Sequence, residues 1–95
     1  MAGYFIANVD VTDPVGFQEY AKGAPATVAA YGGAYLARGG AIEVLEGDWA
    51  PTRLTIIQFE SVARAKAWFN SPEYQPFKEI RKRTTTARLL VIEGV

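Results

Sequence analysis

Hydrophobic and polar residues alternate along residues 4–11, the first patterned stretch of the chain. One face of this stretch collects apolar side chains, namely Phe5, Ala7, Val9 and Val11. Such a period of two predicts a β-strand with one buried face. Residues 53–59 and 88–93 are rich in β-branched and aliphatic side chains and also predict strands. Each of these two segments is apolar on both of its faces.

The region between the first helix and the strand at 53–59 has a less regular pattern. Residues 34–38 and 41–46 have strand-like composition, and Gly39-Gly40 separates them. This order predicts one strand with a bulge or bend at the glycines. The sequence GDWAP at 47–51 then predicts a turn.

Helical periodicity begins after Asp13-Pro14, an N-cap acceptor followed by proline at the first helical position. Apolar residues then recur at three- and four-residue steps, at Phe17, Tyr20, Ala24, Val28 and Tyr31. Gly23 and Pro25 lie within this stripe and predict a kink or a restart. Gly32-Gly33 predicts the end of the helix.

A second helix is predicted at 62–70, with Ser61 as its N-cap. The sequence Ser71-Pro72-Glu73 repeats the features of a helix start, so we expect a reoriented segment from Tyr74 to about Arg83. Thr84–Thr86 favours helix poorly and leads into the last strand.

The predicted elements follow the order β-α-β-β-α-β, with one helical crossover in each half. This order is typical of the ferredoxin-like α+β fold, an antiparallel sheet with two helices on one face. Nothing along residues 1–95 indicates a linker, so we predict a single domain.

The second face of the predicted sheet also carries apolar residues. In the strand at 53–59, Leu54 and Ile56 are on one face and Ile57 and Phe59 are on the other, so both faces of that strand need to be covered. Hydrophobic residues make up 49% of the chain, and there is no cysteine to stabilise a small fold. We therefore predict a homodimer through the sheet face, for which about 800 Å² per partner is typical.

Composition excludes several kinds of chemistry. The chain has no Cys and no His, which excludes thiol nucleophiles, Ser-His relays and an imidazole ligand for haem. We expect no metal and no cofactor. The formal net charge is zero, and the basic run at 81–83 is interpreted as the solvated end of a helix. No nucleic-acid partner is predicted.

The N-terminal residues lack the basic region and the long apolar run of a signal peptide. No segment approaches the roughly 20 apolar residues of a membrane helix. We therefore expect a soluble cytoplasmic protein with no membrane partner.

Several blocks of the sequence resemble a known family. They are DVTDP near the start, YGGAYLARGG at 31–40, VLEGDW at 44–49, RLTIIQFES at 53–61 and WFNSPEYQ at 68–75. In order and spacing these blocks are similar to the domain of unknown function 1330 (DUF1330) family over nearly the whole chain. The resemblance implies a ferredoxin-like fold of the dimeric α/β-barrel superfamily. It implies no particular reaction.

The wider superfamily includes oxygenases that use neither metal nor flavin, and isomerases of small aromatic or lactone compounds. The oxygenases carry a Trp, a Tyr six residues later and an Arg opening the last strand, and Trp68, Tyr74 and Arg88 stand at similar spacing. Arg64 replaces the Asn expected four residues before the Trp. By resemblance, the protein would be a cofactor-independent monooxygenase or isomerase of a small aromatic or enolisable compound. The alternative is a non-catalytic dimeric structural or ligand-sensing module.

Six residues are therefore candidates for binding a small organic ligand. Trp68 and Tyr74 line a pocket or else fill the core. Arg38 clamps a carboxylate, or forms an ion pair with an acid of either subunit. Asn8 and Gln58 line a cavity beside Arg38 or satisfy each other at the dimer seam. Arg88 opens the last strand, where an arginine is often a charge at the rim.

Overall fold

The computed structural model describes all 95 residues. In chain order the elements are β1 (Gly3–Val11), α1 (Pro14–Ala30), β2 (Ala34–Arg38), β3 (Leu54–Phe59), α2 (Val62–Phe69), α3 (Gln75–Thr84) and β4 (Thr85–Glu93). The strands form one antiparallel sheet in the order β2-β3-β1-β4. The predicted ferredoxin-like α+β fold is confirmed, and the second crossover contains two helices. None of the helices is long and apolar enough to cross a membrane.

The register of the sheet separates two rows of side chains. Phe5 lies opposite Ile57 of β3 and Val91 of β4, and this row faces the helices. Ile6, one residue later, lies opposite Ile56 and Leu90 on the other face, which we call the open face. Because successive side chains of a strand point to opposite faces, both rows are apolar but only the first is covered.

Helix α1 begins as the sequence predicts. The Oδ1 atom of Asp13 accepts a hydrogen bond from the backbone N–H of Gly16 at 3.1 Å. Of the kink or restart predicted at Gly23 and Pro25, the restart is wrong, because α1 continues through both residues as one helix. Gly23 packs so closely on Phe77 of α3 that a Cβ atom there would overlap the ring. The glycine therefore serves the contact between α1 and α3.

Residues 41–46 do not form the predicted strand, and no sheet bond involves them. The chain leaves the sheet at Gly39, whose φ of +69° lies in the left-handed region and whose N–H donates to Leu54 O at 3.0 Å. Since β2 is an edge strand and β3 begins only at Leu54, residues 41–46 have no partner strand. Leu45 in this segment is 95% exposed.

The helix break predicted after Asn70 is confirmed. Ser71 stabilises this corner, since its hydroxyl donates to Trp68 O at 2.7 Å and accepts from the Tyr74 N–H at 3.2 Å. The serine is buried, so water cannot replace these bonds. The corner therefore holds Trp68 and Tyr74 in one cluster, with ring centroids 4.2 Å apart.

Replacing Ser71 by alanine should lower the free energy of unfolding by about 1–3 kcal/mol, because the Tyr74 N–H loses its partner in a buried place. Urea denaturation measures this loss. The control is Ser61→Ala, which removes a partly exposed N-cap accepting from Arg64 N–H at 3.0 Å. A larger loss for Ser61→Ala than for Ser71→Ala would contradict this account of the corner.

The helices cover the sheet unevenly. Helix α2 packs on β1, whereas α1 makes most of its close backbone approaches to α3. Helix α1 therefore leaves a cavity above the strands on the helix side of the sheet.

Candidate functional site

A cavity of about 250 Å³ lies between α1 and the sheet. Its floor is formed by residues of all four strands and by Arg53 just before β3, and its walls by α1 and one residue of α3. The lining residues are Phe5, Ala7, Val9, Phe17, Tyr20, Ala21, Ala24, Pro25, Tyr35, Arg38, Arg53, Thr55, Ile57, Arg81 and Leu89. Most are apolar, as is usual for a small-molecule site.

The polar residues that line the cavity are all either cationic or hydroxyl-bearing. They comprise three arginines, two tyrosines and one threonine, and no carboxylate is among them. No group of three or more acidic residues anywhere in the chain could hold a metal ion. The cavity therefore offers positive charge and hydroxyl groups, and no side chain that is negative at neutral pH.

Tyr20 and Tyr74 form a hydroxyl pair at the inner end of this arrangement, with their oxygens 2.8 Å apart. Burial raises the pKa of Tyr20 above its ordinary value, and the Tyr74 hydroxyl raises that pKa further. Tyr20 is therefore a neutral phenol at physiological pH. One hydrogen bond between two hydroxyls uses one proton, so when Tyr74 donates, the Tyr20 proton is available to a molecule in the cavity.

Tyr35 and Arg38 lie together at the end of β2. The Arg38 guanidinium carbon is 4.4 Å from the Tyr35 ring centroid, a cation–π contact. Burial raises the pKa of Tyr35, and the hydrogen bond with Arg38 opposes that rise. Arg38 is exposed, which places it at the mouth of the cavity rather than in its interior.

Arg53 precedes β3 and is half-buried. Its guanidinium lies 5.4 Å from the Phe17 ring centroid and passes close to Gly39. Any side chain at position 39 would crowd this guanidinium, so the glycine permits both the left-handed turn and the position of Arg53.

Trp68 lies in the core behind the cavity, not in its lining. It is 1% exposed, and its Nε1–H donates to the Thr27 hydroxyl at 3.0 Å. Its ring meets Phe5 edge-on at 5.1 Å and stacks on Phe59 at 5.5 Å. Because Phe5 also lines the cavity, Trp68 and the fully buried Tyr74 support the cavity wall from behind.

The other sequence candidates lie elsewhere. Asn8 and Arg88 are opposite each other on the open face, in a shallow depression that also includes Trp49. The Oδ1 atom of Asn8 is buried there without a hydrogen-bond partner. Gln58 borders a separate depression near the N-terminus. The structure thus brings only Arg38 of the six candidates to the helix-side cavity, and a ligand-binding role for any of them remains a prediction.

Arg64, which replaces the Asn of the oxygenase pattern, is also outside the cavity. Its Nε–H donates to Tyr31 O at 3.2 Å, and its guanidinium lies 4.8 Å from the Tyr31 ring centroid. These contacts join α2 to the end of α1.

The sequence did not indicate five of the six polar lining residues as candidate site residues, namely Tyr20, Tyr35, Arg53, Thr55 and Arg81. The solvated helix end predicted at 81–83 is wrong for Arg81, because this residue is buried while Lys82 and Arg83 are exposed. A signal was present: Arg81 follows Phe77 by four positions and Tyr74 by seven, which is the buried stripe of α3.

Solved structures similar to this chain share its fold at low sequence identity. A protein of unknown function from Rhodopseudomonas palustris has a TM-score of 0.79 and 16% identity, with 99% of this chain and 82% of that chain covered. A dimeric protein of unknown function and ferredoxin-like fold from Bacteroides fragilis has a TM-score of 0.65 and 13% identity, covering 98% and 96%.

One similar structure belongs to a protein of named activity. SnoaB, a cofactor-independent oxygenase from Streptomyces nogalater, has a TM-score of 0.68 and 13% identity, with 99% of this chain and 93% of that chain covered. At such identities the likeness shows the fold alone. No curated protein matches the chain in sequence.

The sequence blocks that resemble a known family are distributed from the end of β1 to the corner between α2 and α3. The model of the domain of unknown function DUF1330 matches residues 2–95. The chain therefore belongs to the DUF1330 family.

Proposed function

We propose that the protein binds a small aromatic or enolisable compound in the cavity between α1 and the sheet. The observation that carries this proposal is a cavity of about 250 Å³ with apolar walls and a few convergent polar groups. A dry cavity of about 150 Å³ is large enough for benzene. A substituted single ring is therefore a suitable size for the ligand.

The lining also supports a planar ligand with a polar substituent. Phe17 and Phe5 supply aromatic surface, and the Tyr20 hydroxyl supplies a neutral hydrogen-bond donor. The binding site would orient the ligand and exclude water from it. Trp68 and Tyr74 contribute by holding these walls in place.

For a reaction, we propose cofactor-independent oxygenation or isomerisation, in which the arginines would stabilise an enolate or phenolate. The fold shared with SnoaB supports this class. The lining has no carboxylate or histidine to act as a general base, which favours the alternative of a non-catalytic ligand-sensing module. Dioxygen uptake together with product analysis of a compound that binds distinguishes these functions: oxygenation consumes dioxygen, isomerisation changes the compound without consuming dioxygen, and a sensing module does neither.

We also propose that two copies associate through the open face. Leu90, 56% exposed, and Ile92 lie on this face beside Ile6 of β1. The cavity is on the opposite side of the sheet, so each copy would keep its own site.

A thermal-shift screen with phenols and keto compounds should give stabilising ligands, and Ala21→Phe should weaken their effect. Ala21 lines the cavity yet is exposed, so a phenyl group there can enter the space without disturbing the core. The expected result is loss of most of the ligand-induced shift in melting temperature.

The matched control is Ala26→Phe, an exposed position of the same helix outside the lining. This variant should respond to ligands as the wild type does. If Ala21→Phe and Ala26→Phe respond equally well, the ligands bind elsewhere and the proposed site is wrong.

A further inference from the structure

Arg81 is the most deeply buried polar residue of the cavity. It projects from α3, is 6% exposed and lines the space between α1 and the sheet. Its Nε atom is buried and has no hydrogen-bond partner. An arginine side chain is always charged in proteins, so this unpaired donor belongs to a buried cation.

A buried cation without a partner is unfavourable, because it has lost its hydration without gaining an anion. The surroundings do not supply one. No aspartate or glutamate lines the cavity, and the two other charged lining residues, Arg38 and Arg53, are also cations. The positive electrostatic potentials of the three arginines add together in this site of low polarity, and the summed potential attracts an anion from solution.

The three arginines differ in depth. Arg38 is exposed, Arg53 is half-buried and Arg81 is buried. Arg38 and Arg53 each lie over an aromatic ring, Tyr35 and Phe17, whereas the Arg81 Nε–H is unused. The arginines therefore become more deeply buried from the mouth of the cavity to its interior, and an anion that follows them inward reaches Arg81, which still has an unpaired hydrogen-bond donor.

We propose that the ligand of this cavity is a small organic acid, whose carboxylate pairs with Arg81 while its ring or carbon chain lies against the apolar walls. This inference rests on the proposed function and narrows it to a class of ligand. The planar guanidinium matches the two oxygens of a carboxylate, which makes arginine better suited to this role than lysine. The neutral Tyr20 hydroxyl donates to a second oxygen of the same ligand.

Matched acids and amides test the proposal by isothermal titration calorimetry. The probes are benzoate and salicylate, with benzamide and salicylamide as neutral analogues of the same shape. The wild-type protein should bind the acids more tightly than the amides. In Arg81→Met the affinity for the acids should fall by about 30-fold or more, whereas that for the amides should not change.

Two further variants make the result specific. Arg83→Met removes an exposed arginine from the same helix and should bind the acids as the wild type does. Arg81→Lys retains the charge without the planar fork and should bind the acids with intermediate affinity. Circular dichroism should show that Arg81→Met is folded, because methionine removes an unpaired charge while filling similar space.

The outcomes separate this inference from the proposed function. If the acids and the amides bind with equal affinity, and Arg81→Met binds both with the affinity of the wild type, then Arg81 does not recognise the carboxylate. That result contradicts only this inference. If inorganic phosphate binds as tightly as benzoate, the site is a simple anion site and the organic acid is wrong. If neither acids nor amides bind the wild type, both proposals fall.

Discussion

Replacing Trp68 by alanine is expected to lower the free energy of unfolding by about 3–5 kcal/mol. The indole is almost completely buried between Phe5, Phe59 and Tyr74, with centroid distances of 5.1, 5.5 and 4.2 Å. Its removal leaves a cavity that these rings cannot fill, and the Thr27 hydroxyl loses a donor. Urea denaturation at a fixed protein concentration measures the loss.

Val15→Ala is the control, since it shortens an aliphatic side chain that is 78% exposed at the start of α1, away from the core and from the open face. We expect a clearly smaller loss for this variant. Equal losses for the two variants would show that Trp68 is not the centre of the core. The Trp68→Ala protein should also bind ligands more weakly, but through a loosened wall and not through a lost contact.

Replacing Leu90 by glutamate should convert the proposed dimer into a monomer. Leu90 lies at the open face opposite Ile6, and its neighbour Ile92 in the same row is also exposed. In a symmetric interface each substitution places a charge on both sides of the contact, where burial without a partner is strongly unfavourable. Light scattering at micromolar concentration should change from twice 10.4 kDa to 10.4 kDa.

Val15→Glu is the control for this prediction. Val15 is an exposed aliphatic residue in the first turn of α1, far from the open face, and an acid is favourable at that end of a helix. This variant should keep the mass of the wild type. A wild-type mass near 10.4 kDa, or an unchanged mass for Leu90→Glu, would contradict association through this face.

Local patterns were sufficient for most of the fold. The strands β1, β3 and β4 follow from alternation and β-branched composition, because a sheet residue reaches one face or the other with a period of two. The start of α1 and the corner at Ser71 follow from caps and prolines, whose geometry depends on a few neighbouring residues. These predictions did not depend on the tertiary contacts between the elements.

The segment at 41–46 shows where local patterns stop. Its composition favours a strand as much as that of β2 does, but a strand is stable only when another strand pairs with it. The pairing partner is decided by the sheet, and β3 begins too late in the chain to supply one. Pro25 within α1 is a similar case, since packing on α3 maintains a helix that a proline alone would weaken.

The sequence alone therefore determined the order of elements, the family and the presence of a second apolar face. Only the tertiary structure decided which aromatic residues fill the core and which polar residues meet in a cavity. The sequence left Trp68 between a pocket wall and the core and predicted a solvated helix end at Arg81, whereas in the structure the tryptophan fills the core and the buried arginine faces the cavity. The reason is that residues distant along the chain form the site, and the packing of the helices on the sheet decides which of these residues come into contact.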